Sequence, residues 1–550
     1  MSSAMLRAGP NPPPHSYRVM PLVQDLTPVI VGVGDIKNAS TKVEDAREPA
    51  ELMLDAIHQA LHDTGLNSVE ELRSQIDSID VVRTWTWAYG DLPGLLAEKL
   101  NVGQPPKHHS YTENGGNQPA KIMDEAARRI SRGESTVALI TGGEALASLA
   151  ACSKTGHYPP PGWTAPDENF EIFSPSERRH RNIYSMGAPI HIYPLYENGF
   201  RAHRGQSASK NNEESARLYA EFSHVASENP IAWNYGKAYD AKTIGNTSKT
   251  NRMICYPYPL LMNAFNMVNM AAACLLTSVD HARKLGIPEK KWIYALGGAG
   301  TKESDIFWER PNYFSSPAVS RSIDEALLVS GLNADAVDIF DFYSCFPIVP
   351  KLACRHLNLD PSNPSKPITV LGGLTSFGGA GNNYSMHAIT NLVRRLRNPS
   401  GKEKVALVLA NGGVLSYQHV VCLSANPRSD GRFYPQKNPL PEKITDVPIP
   451  TIVEVAEGEA VIETYTIEYN RDGSPNEGYI IGRLKSNNSR FISITADKQN
   501  LQQLVTLASS DEPIGKTGFV YVEDRPEIDQ SERRNLFTFS RKRHIGSTRL

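Results

Sequence analysis

The residues with chemistry to offer gather around two glycine-rich loops. Asn114-Gly115-Gly116-Asn117 stands before a helix expected over Pro119 to Ile130, and Gly378-Gly379-Ala380-Gly381-Asn382 before another over Tyr384 to Leu396. A helix start leaves backbone N–H groups without acceptors, and such groups hold negative charge. Tyr384 and His387 are three residues apart and so share one face of their helix, as acid–base candidates or as core residues. Tyr343-Ser344-Cys345-Phe346 adds a phenol and a thiol, although a cysteine beside a phenylalanine is as readily packing. His108-His109 and His191-Ile192-Tyr193 are candidate pocket linings, and their spacing gives no metal site.

Elements of an α/β enzyme must position these groups. The 550 residues are too many for one ordinary domain, with 40% hydrophobic and 21% charged residues as in a soluble globular chain. A net charge of -2 gives no electrostatic case for nucleic acid, and no apolar run reaches membrane-spanning length. The six cysteines form no CxxC, which argues for a reducing compartment and against structural zinc.

One pattern occurs twice. A helix (Pro49 to Leu61; around Ile323 to Val329), a strand (Ile79–Val82; Val337–Phe340), a glycine loop, a second helix, and a buried strand (Val137–Ile140; Val405–Leu409) end on a glycine pair, Gly142-Gly143 or Gly412-Gly413. The order predicts an α/β fold of two similar parallel sheets around shared central helices. The expected divisions are a flexible tail (1–27), an N-terminal half (28–150), a loop or lid insertion (151–255), a C-terminal half (256–425), a Pro- and charge-rich linker (426–450), a small all-β unit (451–525) read as an OB-like barrel, and a C-terminal tail (526–550). Ser547-Thr548-Arg549-Leu550 is a loose match to a peroxisomal address; a solvated basic tail in a cytoplasmic protein is the alternative.

From about Thr27 to Ala425 the chain resembles the thiolase superfamily, in particular the sterol-carrier-protein-type thiolases and those thiolase-like proteins that carry an additional C-terminal domain. The resemblance implies the layered αβαβα thiolase fold. Matched motif by motif, Gly116 stands where the family has its nucleophilic cysteine, Gly379 where it has the activating histidine, Ala410 where it has the second cysteine, and Tyr343 where it has the residue that holds an oxyanion water. Classical thiolysis therefore has no nucleophile.

The resemblance implies an acyl-CoA substrate, no permanently bound cofactor, and a homodimer or dimer of dimers. Gly115, Gly116, Asn117, Gly379, Gly412 and Gly413 are then the thioester-binding backbone, with Cys345, Phe346, Glu197, Asn198 and Asn266 lining the pocket. Retro-aldol cleavage of a 3-hydroxyacyl-CoA needs an acid–base group and a stabilised enolate but no covalent intermediate. Tyr343, Tyr384 and His387 are the catalytic candidates; as a base, Tyr343 would need its pKa depressed from about 10. The alternatives are a Claisen-type or acyl-transfer reaction without a covalent step, an acyltransferase using Cys345, and a non-catalytic acyl-CoA-binding scaffold.

Overall fold

The computed structural model describes residues 25–170, 183–525, 527 and 533–541. Most of the expected N-terminal tail and the Ser547–Leu550 signal lie outside the described residues.

Nine strands form one hydrogen-bonded sheet whose two sides repeat each other. On one side lie β1 (Pro28–Lys37), β2 (Ile76–Val81), β3 (His108–Tyr111), β4 (Val137–Ala145) and β7 (Asn269–Ser278), in the order β3-β2-β4-β7-β1. On the other lie β8 (Ile293–Lys302), β9 (Ile339–Phe342), β10 (Val405–Gly412) and β11 (Tyr417–Ser424), in the order β8-β11-β10-β9. Pairings match one for one: β2–β4 and β9–β10 are parallel, while β4–β7, β7–β1, β10–β11 and β11–β8 are antiparallel. The halves join along β1–β8 through Val29↔Tyr294 and Ile30↔Ile293.

The expectation of parallel sheets is corrected here. β11 follows β10 through the short Gly413–Ser416 turn, and a tight hairpin forces an antiparallel partner. β7, its counterpart, enters after the long insertion.

Both faces of the sheet are covered, so β4 and β7 are buried along their whole length. On β1 the faces alternate on either side of a bulge between Ile30 and Gly32: Val29 and Val31 join the core under the helix Pro49–Asp63, while Ile30 and Val33 join the larger central core. The helix Gln118–Ser131 packs on β4 and β7 of its own half and on β8, β10 and β11 of the other; the helix Tyr384–Leu396 packs on β10, β7 and β1 and on the first helix. These are the shared central helices, and each begins at a glycine loop.

The insertion 151–255, read as loop or lid, is about half helical where it is described, with Pro189–His203 and the 21-residue Ala208–Glu228. Its tyrosines, proline and asparagines mask the helical period, which packing against the core enforces. Its last strand, β5 (Met253–Cys255), pairs with β6 (Tyr258–Pro259) across the expected 255/256 boundary.

A closed five-stranded barrel follows: β12 (Gly458–Tyr469), β13 (Pro475–Leu484), β14 (Arg490–Thr495), β15 (Thr517–Val522) and β16 (Asn535–Thr538), in the cyclic order β12-β13-β14-β16-β15. Only β14–β16 is parallel, and the helix Lys498–Ser510 sits between β14 and β15, an OB-like topology. Two expectations change. The unit is not all-β, because Asp497 caps that helix through Asn500 N at 2.9 Å. The segment 526–550 is not simply a tail, because β16 closes the barrel. β5 extends the barrel sheet through Cys255↔Glu468.

Candidate functional site

The first turn of the helix Gln118–Ser131 is where the two halves interlock. Gly115 N–H donates to Asn382 Oδ1 at 3.1 Å, and Asn382 Nδ2 donates to the Arg83 carbonyl at 2.9 Å and to Asn114 Oδ1 at 2.7 Å. The glycine loops thus fasten each other. The next two N–H groups, of Gly116 and Asn117, find no acceptor among the described residues. Gly412 lies against both: a Cβ there would stand 2.9 Å from Gly116 N and 3.2 Å from Asn117 N. Glycine at 412 leaves these donors uncovered, as an oxyanion site requires. The Asn117 side-chain Oδ1, 2.6 Å from the same point, is buried and unpaired.

Tyr343 closes the site from the other half. It follows β9, and its N–H donates to the Leu409 carbonyl at 2.9 Å, which sets it beside the end of β10. A Cβ on Gly116 would meet the Asn411 carbonyl oxygen and lie 2.7 Å from the Tyr343 hydroxyl. The phenol therefore occupies the volume a side chain at 116 would take. Its ring packs edge-on to Tyr384, with centroids 5.5 Å apart.

The Tyr343 hydroxyl makes no hydrogen bond among the described residues; burial, with Cys345 adding to it, holds its pKa well above 10. The depressed phenol that a resting base requires is thus contradicted: no cation is among the causes acting on it, and Tyr343 stays protonated.

Tyr193, from the helix Pro189–His203, forms the third wall. Its hydroxyl accepts from Asn411 Nδ2 at 2.8 Å and Leu415 N at 3.1 Å and donates to the Gly413 carbonyl at 3.2 Å. Gln418 Nε2 fixes the Asn411 amide at 2.7 Å. Tyr193 stacks on Phe346 at 4.7 Å, and Asn411 Nδ2 lies 3.9 Å from Cys345 Sγ. Burial pushes the Cys345 thiol up to about 12, so it is a thiol and not a thiolate near neutral pH.

The remaining candidates divide. Asn266 Oδ1 fills the place where a side chain on Gly379 would begin, so these two residues are adjacent as expected. Gly379 N–H, however, donates to the Phe265 carbonyl at 2.8 Å, and with Gly115 it is removed from the oxyanion donors. Gly413 turns the β10–β11 hairpin at φ +63°, a conformation that favours glycine.

Tyr384 accepts from Gly373 N at 3.2 Å and sits by Asp341, a carboxyl that burial raises to about 7 against hydrogen bonds from Val370 and Thr369. His387 bonds through Nδ1 to Asp35 at 2.9 Å; its Nε2 is buried and unpaired. The structure ties it to β1 rather than to Tyr343.

Glu197 and Asn198 are corrected too. Glu197 forms a fully buried ion pair with Lys351 at 2.6 Å and accepts from Tyr258 at 2.5 Å. Asn198 Nδ2 donates to the Tyr465 carbonyl at 2.9 Å, so it holds the barrel. Helical spacing turns neighbouring residues of one helix to different partners, and a two-residue motif does not reveal which.

Two further groups belong to the site's frame. Asn411 sits in the expected Ala410–Gly413 stretch without a role read from sequence. Glu144 follows Gly142-Gly143 in a buried strand, which was its only signal. It accepts from Thr84 Oγ1 at 2.8 Å, Trp85 N at 2.7 Å and Thr86 N at 3.0 Å, and touches Gly381. Burial raises it to about 7 against those bonds.

Residues 439–525 match the family model "Thiolase-like protein type 1 additional C-terminal domain". Over 94% of this chain and 100% of the other, the fold is similar to a monomeric SCP2-thiolase-like protein type 1 from Mycobacterium smegmatis, at 32% identity and TM-score 0.73. The Ltp2-ChsH2(DUF35) aldolase (17% identity, TM-score 0.57) and human mitochondrial 3-ketoacyl-CoA thiolase (14%, TM-score 0.52) each match 73% of this chain, over 98% and 100% of their own. No curated protein matches.

Proposed function

The chain belongs to the SCP2-thiolase-like protein type 1 family, and on that premise we propose that it makes or breaks a carbon–carbon bond next to a CoA thioester without a covalent cysteine intermediate. The observation that carries this reading is the pairing of two free helix-start N–H groups with a neutral phenol in the space beside Gly116. The thioester oxygen would accept from Gly116 and Asn117 N–H, where preorganised donors stabilise developing negative charge.

The reaction we favour is retro-aldol cleavage of a 3-hydroxyacyl-CoA. The Cα–Cβ bond breaks with its electron pair passing to the thioester enolate, and the β-carbon leaves as an aldehyde or ketone. Tyr343 gives its proton to Cα in the same step in which it takes that of the β-hydroxyl, because a neutral phenol cannot accept first; bond breaking and both transfers are concerted, and the phenol is restored. A phenol with a raised pKa fits this exchange, because its oxygen becomes basic enough to take the hydroxyl proton as it releases its own to Cα. The likeness in fold to an aldolase supports the reaction class. A Claisen-type condensation would use the same kind of enolate differently, attacking the carbonyl of a second thioester with release of that thioester's CoA thiol. The raised Cys345 thiol weighs against acyl transfer through that residue.

The test is a panel of 3-hydroxyacyl- and 3-ketoacyl-CoA esters with product CoA esters followed by mass spectrometry. A short acyl-CoA together with a carbonyl compound from a hydroxyacyl ester is the expected result. Tight binding with no product from any ester would replace this reading with a non-catalytic acyl-CoA-binding role.

A further inference from the structure

Two arginines, each with a fully buried side chain, connect the barrel to the wall of the site. Arg490, at the start of β14, donates to the Trp308 carbonyl at 2.9 Å, to the Arg310 carbonyl, and to the Pro311 carbonyl at 3.4 Å. Glu463 of β12 holds it in place, with Nε to Oε2 at 2.9 Å, and its guanidinium lies over the Tyr313 ring at 5.0 Å. The barrel thus grips residues 308–311 of the thiolase-like core by their backbone.

Arg310 turns the other way. Its Nη1 donates to the Leu415 carbonyl at 3.0 Å and the Tyr196 hydroxyl at 3.4 Å; its Nη2 donates to Ser416 Oγ at 2.7 Å and the Val414 carbonyl at 3.3 Å. Three successive residues of the β10–β11 turn hang on one guanidinium. That turn begins at Gly412, against which Gly116 N and Asn117 N lie, and its Gly413 carbonyl and Leu415 N–H fix Tyr193. A planar, permanently charged fork that spreads five donors in fixed directions is what arginine supplies, where lysine offers three from a single nitrogen.

We propose that Arg490 and Arg310 form a positioning relay by which the C-terminal barrel sets the Gly412–Ser416 turn and so the spacing of the thioester-binding wall. This rests on the Gly116–Gly412 site reading only for its consequence on ligand binding; the mechanical link stands on the hydrogen bonds alone. The barrel is then a working part of the site.

The test uses the full chain with Arg310→Lys and Arg490→Lys and two measurements. Hydrogen exchange over residues 410–418 should quicken about tenfold or more at the Leu415 and Ser416 amides in both variants, while β4 and β7 amides keep their protection. Affinity for acetyl-CoA as a probe should fall about tenfold in the same variants. Unchanged exchange at Leu415 and Ser416 in both variants overturns the relay whatever the ligand does. Faster exchange in a protein whose wild type binds no acetyl-CoA upholds the relay and overturns the site reading instead. If a lysine variant loses protection throughout, Glu463→Gln keeps the side-chain shape and loosens the grip on Arg490, and on Arg483, whose further bond to the Asn488 carbonyl stays within the barrel; faster exchange confined to 410–418 upholds the proposal, and none overturns it.

Discussion

The Tyr343 hydroxyl stands 2.7 Å from the point where a Cβ on Gly116 would begin, so the helix start of one half is filled by a side chain from the other. The two positions are therefore coupled in volume. Gly116→Ala should destabilise the fold by about 1–3 kcal/mol, the usual range for overpacking. Combined with Tyr343→Ala it should cost measurably less than the sum of the single changes. The Asn411 carbonyl, which also meets that Cβ, keeps the compensation partial. A denaturant double-mutant cycle measures it, and strict additivity would mean that the two do not share the space.

Tyr343→Phe separates catalysis from architecture. Because the hydroxyl makes no hydrogen bond within the described protein, its loss should cost less than the ~1 kcal/mol of an ordinary hydrogen-bonded hydroxyl. Turnover should drop about 10²–10⁴-fold, the range of a lost general acid–base, with CoA-ester affinity nearly unchanged. Full activity in the variant would remove Tyr343 from the chemistry.

The frame of this site was legible in the sequence because it rests on backbone. The glycine loops before Gln118 and Tyr384, and the Gly412-Gly413 turn, announce themselves by composition, and the structure places the first loop and the turn side by side. What escaped was long-range. Nothing local to Asn198 or Arg310 tells that one binds the barrel and the other the 414–416 turn, since their partners lie 267 and more than 100 residues away. The barrel's closing strand also escaped, because Asn535–Thr538 is four residues long and too short for alternation to mark. Protonation was the least legible property: only burial, seen in three dimensions, tells that the phenol of Tyr343 stays neutral.

Cys345 tests the same point for sulfur. With its thiol raised to about 12, iodoacetamide at pH 8 should leave it unmodified in the native protein and label it in denaturant. Cys345→Ala should retain turnover while losing some packing stability. A trapped acyl-thioester at Cys345 in the wild type would instead establish covalent acyl transfer.

Asp341 makes a pH signature. Its carboxyl is raised to about 7 by burial, from an ordinary value near 4, so the folded state holds a proton that the unfolded state has released between those limits. Its contribution to stability is then fully present below about pH 4 and is lost as pH rises through about 7. Asp341→Asn keeps the neutral shape, so wild type minus variant should show unfolding free energy falling by up to a few kcal/mol across that window. A flat difference would mean that the carboxyl is ionised in the fold at neutral pH.

The sheet's edge bears on the oligomeric state. The resemblance to thiolases implies a dimer, and an exposed β-edge is where two copies would pair. One edge is β9, whose Phe340 and Phe342 N–H groups donate to the Pro367 and Ile368 carbonyls; the other is β3, only four residues long, and its Tyr111 ring is stacked on Phe170 at 5.6 Å with the Arg83 guanidinium 4.4 Å from the same Phe170 ring. The insertion thereby lays its own aromatic ring against the end of the edge strand. We expect light scattering to give the 60.6 kDa monomer at micromolar concentration. Phe170→Ala, which uncovers Tyr111, should add a concentration-dependent species of twice that mass. A wild-type dimer unaffected by Phe170→Ala would show that this edge is not what governs association.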